Sequence, residues 1–349
     1  TAYAPINWEV CSMNVMRSYT ESTDLMMDGA ALAERLAQDG YLFIRGLVPA
    51  DAVENVGCKF VDVVAQGGWL DPDHPKESRI ANRNIVCADP KPEFLEVFRR
   101  FYLREDSHAL KHHPNIVGLF ERLFDEEVLV HPLFVARNIF PQKEKLTTRP
   151  HQDFVHIQGT AETITVWLPL HDCPREMGGL AVAEGSHRQG VHDFTVASGA
   201  GGLEVTAPFD GQWRFGDFAV GDALIFHSMM VHKGMDNKTK KIRHSIDARY
   251  QRASKPISEV SMANYSGCGD WEEIYGNWES DDLKYYWRKQ NPDVQPYDFQ
   301  YYDRRDDIAF KMAEDGNDTA RAALLRIVQR DPRAEKRARA TDLLDRLEA

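Results

Sequence analysis

Arg149-Pro150-His151-Gln152-Asp153-Phe154 sets an imidazole and a carboxylate two residues apart. On an extended strand, residues i and i+2 point to one face. His151 and Asp153 would then aim at a single point, with Gln152 turned away. A third ligand from a distant strand would complete a two-histidine, one-carboxylate set. Such a set caps one face of Fe(II) and leaves the opposite positions open. His-X-Asp alone is a common accident of sequence, so its meaning depends on what else the chain supplies.

The missing ligand is expected later. Residues 221–232 read as a Gly-Asp turn followed by one apolar strand, and carry two histidines. His227 and His232 are five apart, hence on opposite faces of a regular strand. His232 stands at the strand end, before the polar turn 233–239, where active-site groups tend to gather. His227 reads as a core or supporting histidine. Eleven residues beyond His232, Arg243 opens the strand 243–251. A guanidinium beside a metal ligand is suited to a two-pronged grip on a carboxylate. The competing reading of Arg243 is a surface charge in the cluster with Lys238, Lys240 and Lys241.

Working outward, helical patterning covers 28–38, ended by Asp39-Gly40, and a second helix runs from about 49 to 65, with a strand at 41–46 between them. Residues 1–27 read as an irregular surface arm. Residues 69–95 read as a long polar loop, of a length often given to binding loops; Arg83 is its candidate substrate contact. Helices are expected over 92–103 and 108–124, then a strand over 128–140 carrying Arg137 and Asn138. Short strands at 163–170, 179–183, 217–218, 222–232 and 243–251 suggest an antiparallel double-sheet core behind a helical start, an α+β chain with a mainly β core. An aromatic-rich stretch follows over 260–305. Amphipathic helices at 310–330 and 333–347 are read as packed on their own core, with a wrapping appendage or a homo-oligomer contact as alternatives.

A formal net charge of -12 disfavours nucleic acid and anionic membranes as partners, while leaving room for a local basic pocket. No run of about 18 apolar residues suggests a membrane span, and the start carries no basic-then-apolar leader pattern. Five scattered cysteines without a C-x-x-C pair argue against a disulfide framework or zinc ribbon. A cytoplasmic protein acting on a small molecule is the expectation.

The combination resembles the phytanoyl-CoA dioxygenase family of Fe(II)/2-oxoglutarate-dependent oxygenases. The resemblance rests on Asp39 to Gly46, His151-Gln152-Asp153, Trp167-Leu168-Pro169-Leu170, the G-x-L-x-V-x-x-G-S-H-R stretch from Gly178 to Arg188, and Gly221 through His232 with Asn237, Arg243 and Arg249-Tyr250. It spans about residues 28–251. It implies a double-stranded β-helix (jelly-roll, cupin-like) core over about 125–251, within a catalytic domain of residues 1–255; the shift in composition after Ser254 marks residues 256–349 as a C-terminal extension packed on that core. It implies Fe(II) held by His151, Asp153 and His232, 2-oxoglutarate as cosubstrate with O2, and Arg243 paired with the distal carboxylate of 2-oxoglutarate beside Trp167. Gly234 stands where the family often has a hydroxyl residue, and Ser245 or Thr148 are the candidate replacements. Arg137 and Asn138 fall on a pocket-lining strand. Gly185-Ser186-His187-Arg188 reads as structural. His156, His171, His192 and His244 receive no role. The implied activity is hydroxylation of an unactivated C–H bond in a small, polar or anionic metabolite, with succinate as coproduct. The alternatives are a cupin-like metal enzyme that does not use 2-oxoglutarate, and a jelly-roll binding protein.

Overall fold

The computed structural model describes residues 16–85, 91–141, 147–199, 201–265 and 268–348. The first helix, α1 (Gly29–Asp39), starts where the Asp28 carboxylate accepts a hydrogen bond from the Ala31 amide. It ends at Gly40, whose φ of 80° satisfies the closing turn. Strand β1 (Tyr41–Ile44) and helices α2 (Ala50–Gln66), α3 (Pro92–Tyr102), α4 (Glu105–Ala109) and α5 (Pro114–Phe124) follow. The expected helix over 108–124 is therefore divided: Pro114 cannot continue a preceding helix and instead opens α5 at its N-terminal position.

The strand expected over 128–140 is likewise two strands, β2 (Val128–Val130) and β3 (Val135–Ile139). The break lies at His131-Pro132, where the Lys111 ammonium donates to both backbone carbonyls at 2.7 and 2.6 Å. Next come α6 (Phe154–Ile157), β4 (Ile164–Pro169), β5 (Leu180–Ala183), β6 (Phe194–Val196), β7 (Leu203–Val205), β8 (Trp213–Arg214), β9 (Ala223–His227), β10 (His232–Gly234) and β11 (Arg243–Arg252). The β6–β7 hairpin and β8 lie outside the expected strands. Residues 217–218, expected as a strand, provide only an isolated bridge from Phe218 to Cys173.

The larger sheet has the order β1-β9-β4-β11-β2, with β3 also paired to β11, and every pairing is antiparallel. The smaller sheet is β10-β5-β8, also antiparallel. Alternation along the large sheet sends Leu42, Ile44, Val166, Leu168, Ile246 and Ala248 outward into a core shared with α1 to α5. Tyr41, Phe43, Trp167, Leu224 and Phe226 face inward, against Leu180 and Val182 of the small sheet. Tyr19 sits in this inter-sheet core and its hydroxyl donates to the Leu180 carbonyl. The segment just before α1 is thus part of the core and not a surface arm.

Beyond β11 the chain forms β12 (Ile257–Ser258), α7 (Glu259–Met262), α8 (Trp271–Tyr275), β13 (Val294–Gln295), α9 (Gln300–Glu314), α10 (Arg321–Arg330) and α11 (Ala334–Glu348). Trp278 and Trp287 join the helical core of the N-terminal half. Helices α9 to α11 bury Phe310, Leu324, Ile327 and Leu343 in a cluster of their own, as their amphipathic pattern requires. The helix expected over 310–330 is broken around Gly316, which takes a φ of 73°.

Burial leaves several imidazoles neutral. His112 and His131 are pushed down to about 3, mainly by loss of solvent. Their folded values lie below the unfolded value of about 6.5, so the unfolded chain binds protons first as pH falls. Stability is therefore full above about 6.5 and lost progressively down to about 3. These two rings together are expected to cost about 3 kcal/mol at pH 5.5 relative to pH 7.5, at roughly 1.4 kcal/mol per ring and pH unit. Chemical denaturation of the metal-free protein at the two pH values measures it. Equal stabilities would show that these rings are not held neutral.

Candidate metal centre

His151 and His232 are joined backbone to backbone. The His151 amide donates to the His232 carbonyl at 2.9 Å, and the His232 amide donates back at 3.0 Å. This reciprocal pair brings the two rings to a centroid separation of 4.1 Å. Asp153 reaches them by a different route from an extended strand. It has helical dihedrals, φ -61° and ψ -33°, and caps the single turn of α6. The turn, not strand alternation, swings its carboxylate back beside His151.

His227 and His232 also belong to different elements. The expected single strand over 222–232 is two, β9 in the large sheet and β10 in the small one, with a turn between them. His227 lies near His187, with rings 5.4 Å apart, while His232 crosses to the sheet that faces Asp153.

The donor set suits a divalent metal. The Nε2 atoms of His151 and His232 lie 3.7 and 3.8 Å from Asp153 Oδ1. Each ring has its Nδ1 against a backbone carbonyl, Arg149 at 2.8 Å and Met230 at 3.0 Å. Those contacts fix the tautomer with the proton on Nδ1 and the Nε2 lone pair facing the carboxylate. Burial lowers both histidines' proton affinity, so both rings stand neutral, the state a metal donor requires. Burial alone would raise Asp153, but Arg249, the two imidazoles and Thr165 hold it well below the usual carboxylate range. Its Oδ2 accepts from the Thr165 hydroxyl at 2.7 Å and from Arg249 at 3.3 Å.

A second carboxylate group, Asp303, Asp306 and Asp331, also brings oxygens within 4.8 Å of one another. There the Lys336 ammonium already lies between them, 2.8, 2.6 and 3.4 Å from the three residues. That cluster is a lysine site.

Arg243 is buried at 1% exposure on the inward face of β11. Its guanidinium donates to the Gly178 carbonyl and lies 5.5 Å from the Trp167 ring centroid. A side chain at Gly178 would press its Cβ to 2.2 Å from the Met235 carbonyl oxygen, and its φ is 74°. Glycine is thus required at the residue that meets Arg243. Arg243 Nε, Trp167 Nε1 and Ser245 Oγ are buried polar atoms without a hydrogen-bond partner. Orphaned donors of this kind are costly unless a ligand completes them, and they match an anionic cosubstrate. At Gly234, a Cβ would come 3.2 Å from Thr147 Cγ2, and the Gly234 amide donates to the Thr148 carbonyl. The Thr147-Thr148 pair thus fills the space a larger side chain would take.

The remaining sequence candidates separate. Arg137 faces inward and pairs with Asp247 at 2.5 Å. Asn138, one residue on, faces the other way, its Oδ1 bonded to His244 Nδ1 at 2.7 Å. A cavity of about 400 Å³ opens beside the triad, lined by His151, Asp153, Thr148, Arg137 and Arg249 together with residues of the C-terminal segment. Arg83 lies elsewhere, in a separate cavity with Asp71, His74 and Lys240.

Sequence reasoning missed His156, Tyr297, Phe299, Tyr302, Arg305 and Arg326, all of which line the triad's cavity. For His156 a signal existed: it is three residues after Asp153, one helical turn, and therefore on the same side. The C-terminal residues lie more than 140 positions away and carry no motif.

Gly185-Ser186-His187-Arg188 clamps α1. The Asp39, Ala37 and Gln38 carbonyls of its last turn accept from the Gly185 amide, the His187 ring and the Arg188 guanidinium at 2.9, 3.0 and 2.9 Å. Ser186 Oγ accepts from the Val231 amide at 2.9 Å, fixing the residue before His232.

The phytanoyl-CoA dioxygenase (PhyH) family matches residues 36–245. Two curated relatives, each a 1-deoxypentalenic acid 11-beta-hydroxylase, are similar to this chain. The Streptomyces exfoliatus protein is 27% identical over 257 residues, covering 69% of this chain and 87% of the relative. The Streptomyces arenae protein is 26% identical over 254 residues, covering 68% and 86%. Among solved structures, an apo non-heme monooxygenase, ThoJ, is 15% identical with a TM-score of 0.49, covering 90% of this chain and 99% of its own.

Proposed function

The chain belongs to the phytanoyl-CoA dioxygenase family and is an Fe(II)/2-oxoglutarate-dependent dioxygenase, and from that premise we propose which residues carry its chemistry. His151, Asp153 and His232 hold the iron. Arg243 holds the distal carboxylate of 2-oxoglutarate, with Trp167 Nε1 and Ser245 Oγ beside it and Thr148 near the metal end. The enzyme hydroxylates an unactivated C–H bond of a small polar or anionic metabolite. The two facing antiparallel sheets form a double-stranded β-helix over about 125–251, and residues 256–349 are an extension packed on that catalytic domain. The observation that carries the reading is the reciprocal His151–His232 backbone pair, which supports two neutral imidazoles converging on a deprotonated Asp153.

Iron bound with 2-oxoglutarate and O2 supplies the oxidising power, giving succinate, CO2 and an oxidised C–H bond. The chain's own residues prepare the place. Arg149 and Met230 carbonyls hold the imidazole protons on Nδ1 and so keep both Nε2 atoms as donors. Thr165 and Arg249 hold Asp153 Oδ2, which leaves Oδ1 turned to the histidines. Arg137 and Asp247 neutralise one another on the inward face. Val135, Ile157 and Val260 give the cavity apolar walls that exclude water from the reacting bond.

Turnover of 2-oxoglutarate tests the proposal. The Fe(II)-loaded full chain is expected to release succinate and to add about one oxygen in mass to a substrate from a small-molecule screen. Absence of 2-oxoglutarate-dependent succinate across the screen and without substrate would overturn it.

A further inference from the structure

The single turn of α6, which carries the Asp153 carboxylate at its start, is tied to the C-terminal segment by its own residues. The Tyr297 hydroxyl donates to the Val155 carbonyl at 2.9 Å. The Gln158 side chain donates to the Asp298 carbonyl at 2.7 Å and accepts from the Asp298 amide at 2.9 Å. The Tyr302 hydroxyl meets His156 Nδ1 at 2.9 Å. Isolated single turns of helix are marginal, so these ties hold α6 in place. All the tying residues lie beyond residue 245, where the family match ends.

With Nδ1 tied to Tyr302, the His156 ring has one polar atom left. Nε2 is shielded from solvent and has no hydrogen-bond partner. His156 lines the triad's cavity, with its ring centroid 6.1 Å from that of His151. Gly201 lines the cavity next to Nε2, and a Cβ there would sit 3.4 Å from it. The glycine thus keeps the space beside that nitrogen open. A buried polar atom is costly to leave unsatisfied, and one turned to a cavity is completed by whatever occupies the cavity. A hydroxyl both donates and accepts, so it satisfies Nε2 in either imidazole tautomer.

The rest of the wall asks for no charge. Arg137, Arg249 and Arg305 are matched by Asp247, Asp153 and Asp306 at 2.5, 3.3 and 2.6 Å. Arg326 donates to the Ala322 carbonyl at 2.7 Å, and the Arg330 guanidinium lies 5.6 Å from the Tyr265 ring centroid. Asp331 is taken by Arg333 at 2.7 Å. Leu133, Val135, Ile157, Val260 and Phe299 make much of the remaining lining apolar. A volume of about 400 Å³ is at the low end for small-molecule sites.

We infer that the substrate is a small, mostly apolar alcohol, uncharged at its polar end, whose hydroxyl is held by His156 Nε2 while its carbon skeleton lies beside the metal triad. This deepens the oxygenase reading and rests on it. Tyr302 is a positioning residue in this arrangement, since it fixes the ring that meets the substrate.

The test uses the full chain loaded with Fe(II) and 2-oxoglutarate without O2, titrated calorimetrically into 1-indanol, indane and indane-1-carboxylate. A hydroxyl left without a partner in a pocket weakens binding, so 1-indanol should bind more weakly than indane unless Nε2 receives it. Wild type is expected to bind 1-indanol at least as tightly as indane, and more tightly than the carboxylate. In His156→Phe, 1-indanol is expected to lose about fivefold or more relative to indane, and His156→Gln, whose amide reaches a similar place, is expected to restore part of it. Mere damage to the pocket would weaken both probes alike and leave their ratio unchanged. An unchanged ratio in His156→Phe, indane or the carboxylate binding wild type more tightly than the alcohol, or binding of none of the three would overturn the inference. The wild-type comparison stands should His156→Phe fail to fold. Succinate release by wild type in air, without added substrate, reports the triad separately. Preference for the alcohol without any succinate would overturn the oxygenase reading and leave the His156 site; succinate without that preference would do the reverse.

Discussion

Asp153→Ala is expected to abolish iron retention and 2-oxoglutarate turnover and also to destabilise the metal-free protein by about 3 kcal/mol. The two losses have separate causes. Iron loses its only anionic protein ligand in the set, which should exceed the roughly 10–100-fold cost of removing an outer partner. The metal-free protein loses the counter-charge of Arg249, a guanidinium 4% exposed whose Nη2 lies 3.3 Å from the missing carboxylate. Breaking a buried pair on one side is costlier than removing it whole, because a charge is stranded. The double variant Asp153→Ala/Arg249→Met should therefore recover stability and recover no iron. Iron content by mass spectrometry and urea denaturation of the apoprotein read the two effects. Full iron occupancy in the single variant would sink the ligand assignment.

Arg243→Met is expected to weaken 2-oxoglutarate binding by about a hundredfold or more, while the apoprotein stays as stable or gains. Arg243 is buried, donates to one backbone carbonyl and, among the described residues, has no carboxylate within ion-pair reach. Loss of solvent depresses its proton affinity, only partly offset by Cys173 and Asp247. An ion held this way costs stability until an anion arrives. Two charge-assisted bonds to a carboxylate, at about 1.5–3 kcal/mol each, set the size of the affinity loss. A residue kept for structure would behave the other way, with lower apoprotein stability and unchanged 2-oxoglutarate affinity. Titration of 2-oxoglutarate into the anaerobic Fe(II) protein, paired with thermal unfolding of the apoprotein, separates the two.

The parts of the site that were legible in sequence are those fixed by short-range rules. The His151-X-Asp153 spacing, a late histidine at a turn and an arginine opening a long strand each leave a local trace. The α1 stop at Asp39-Gly40 does too, because a left-handed residue must end a helix there. The route by which His151, Asp153 and His232 meet was not legible. Whether Asp153 continues a strand or starts a turn depends on α6, a helix of four residues, too short to leave a period. The division of 222–232 into two strands depends on which sheet each half joins, a choice made by Ile164 through Trp167 on one side and Val182 on the other. The cavity wall left no trace at all. Residues 69–95 looked like a binding loop because they are polar and long, whereas Arg83 lines another cavity. Tyr302 and Arg326 look like ordinary amphipathic-helix residues, and only tertiary packing brings them into the cavity that His156 lines.

The order of the elements along the chain has a consequence for biosynthesis. Every residue assigned to iron and 2-oxoglutarate precedes residue 250, and the wall carried by α9 and α10 begins at residue 300. A chain emerging from the ribosome in N-to-C order, folding its earlier part first, acquires its oxidising centre before the pocket that confines it. For the time needed to translate those last helices, the nascent enzyme has an open hearth. Iron supplied only after release would meet a finished wall.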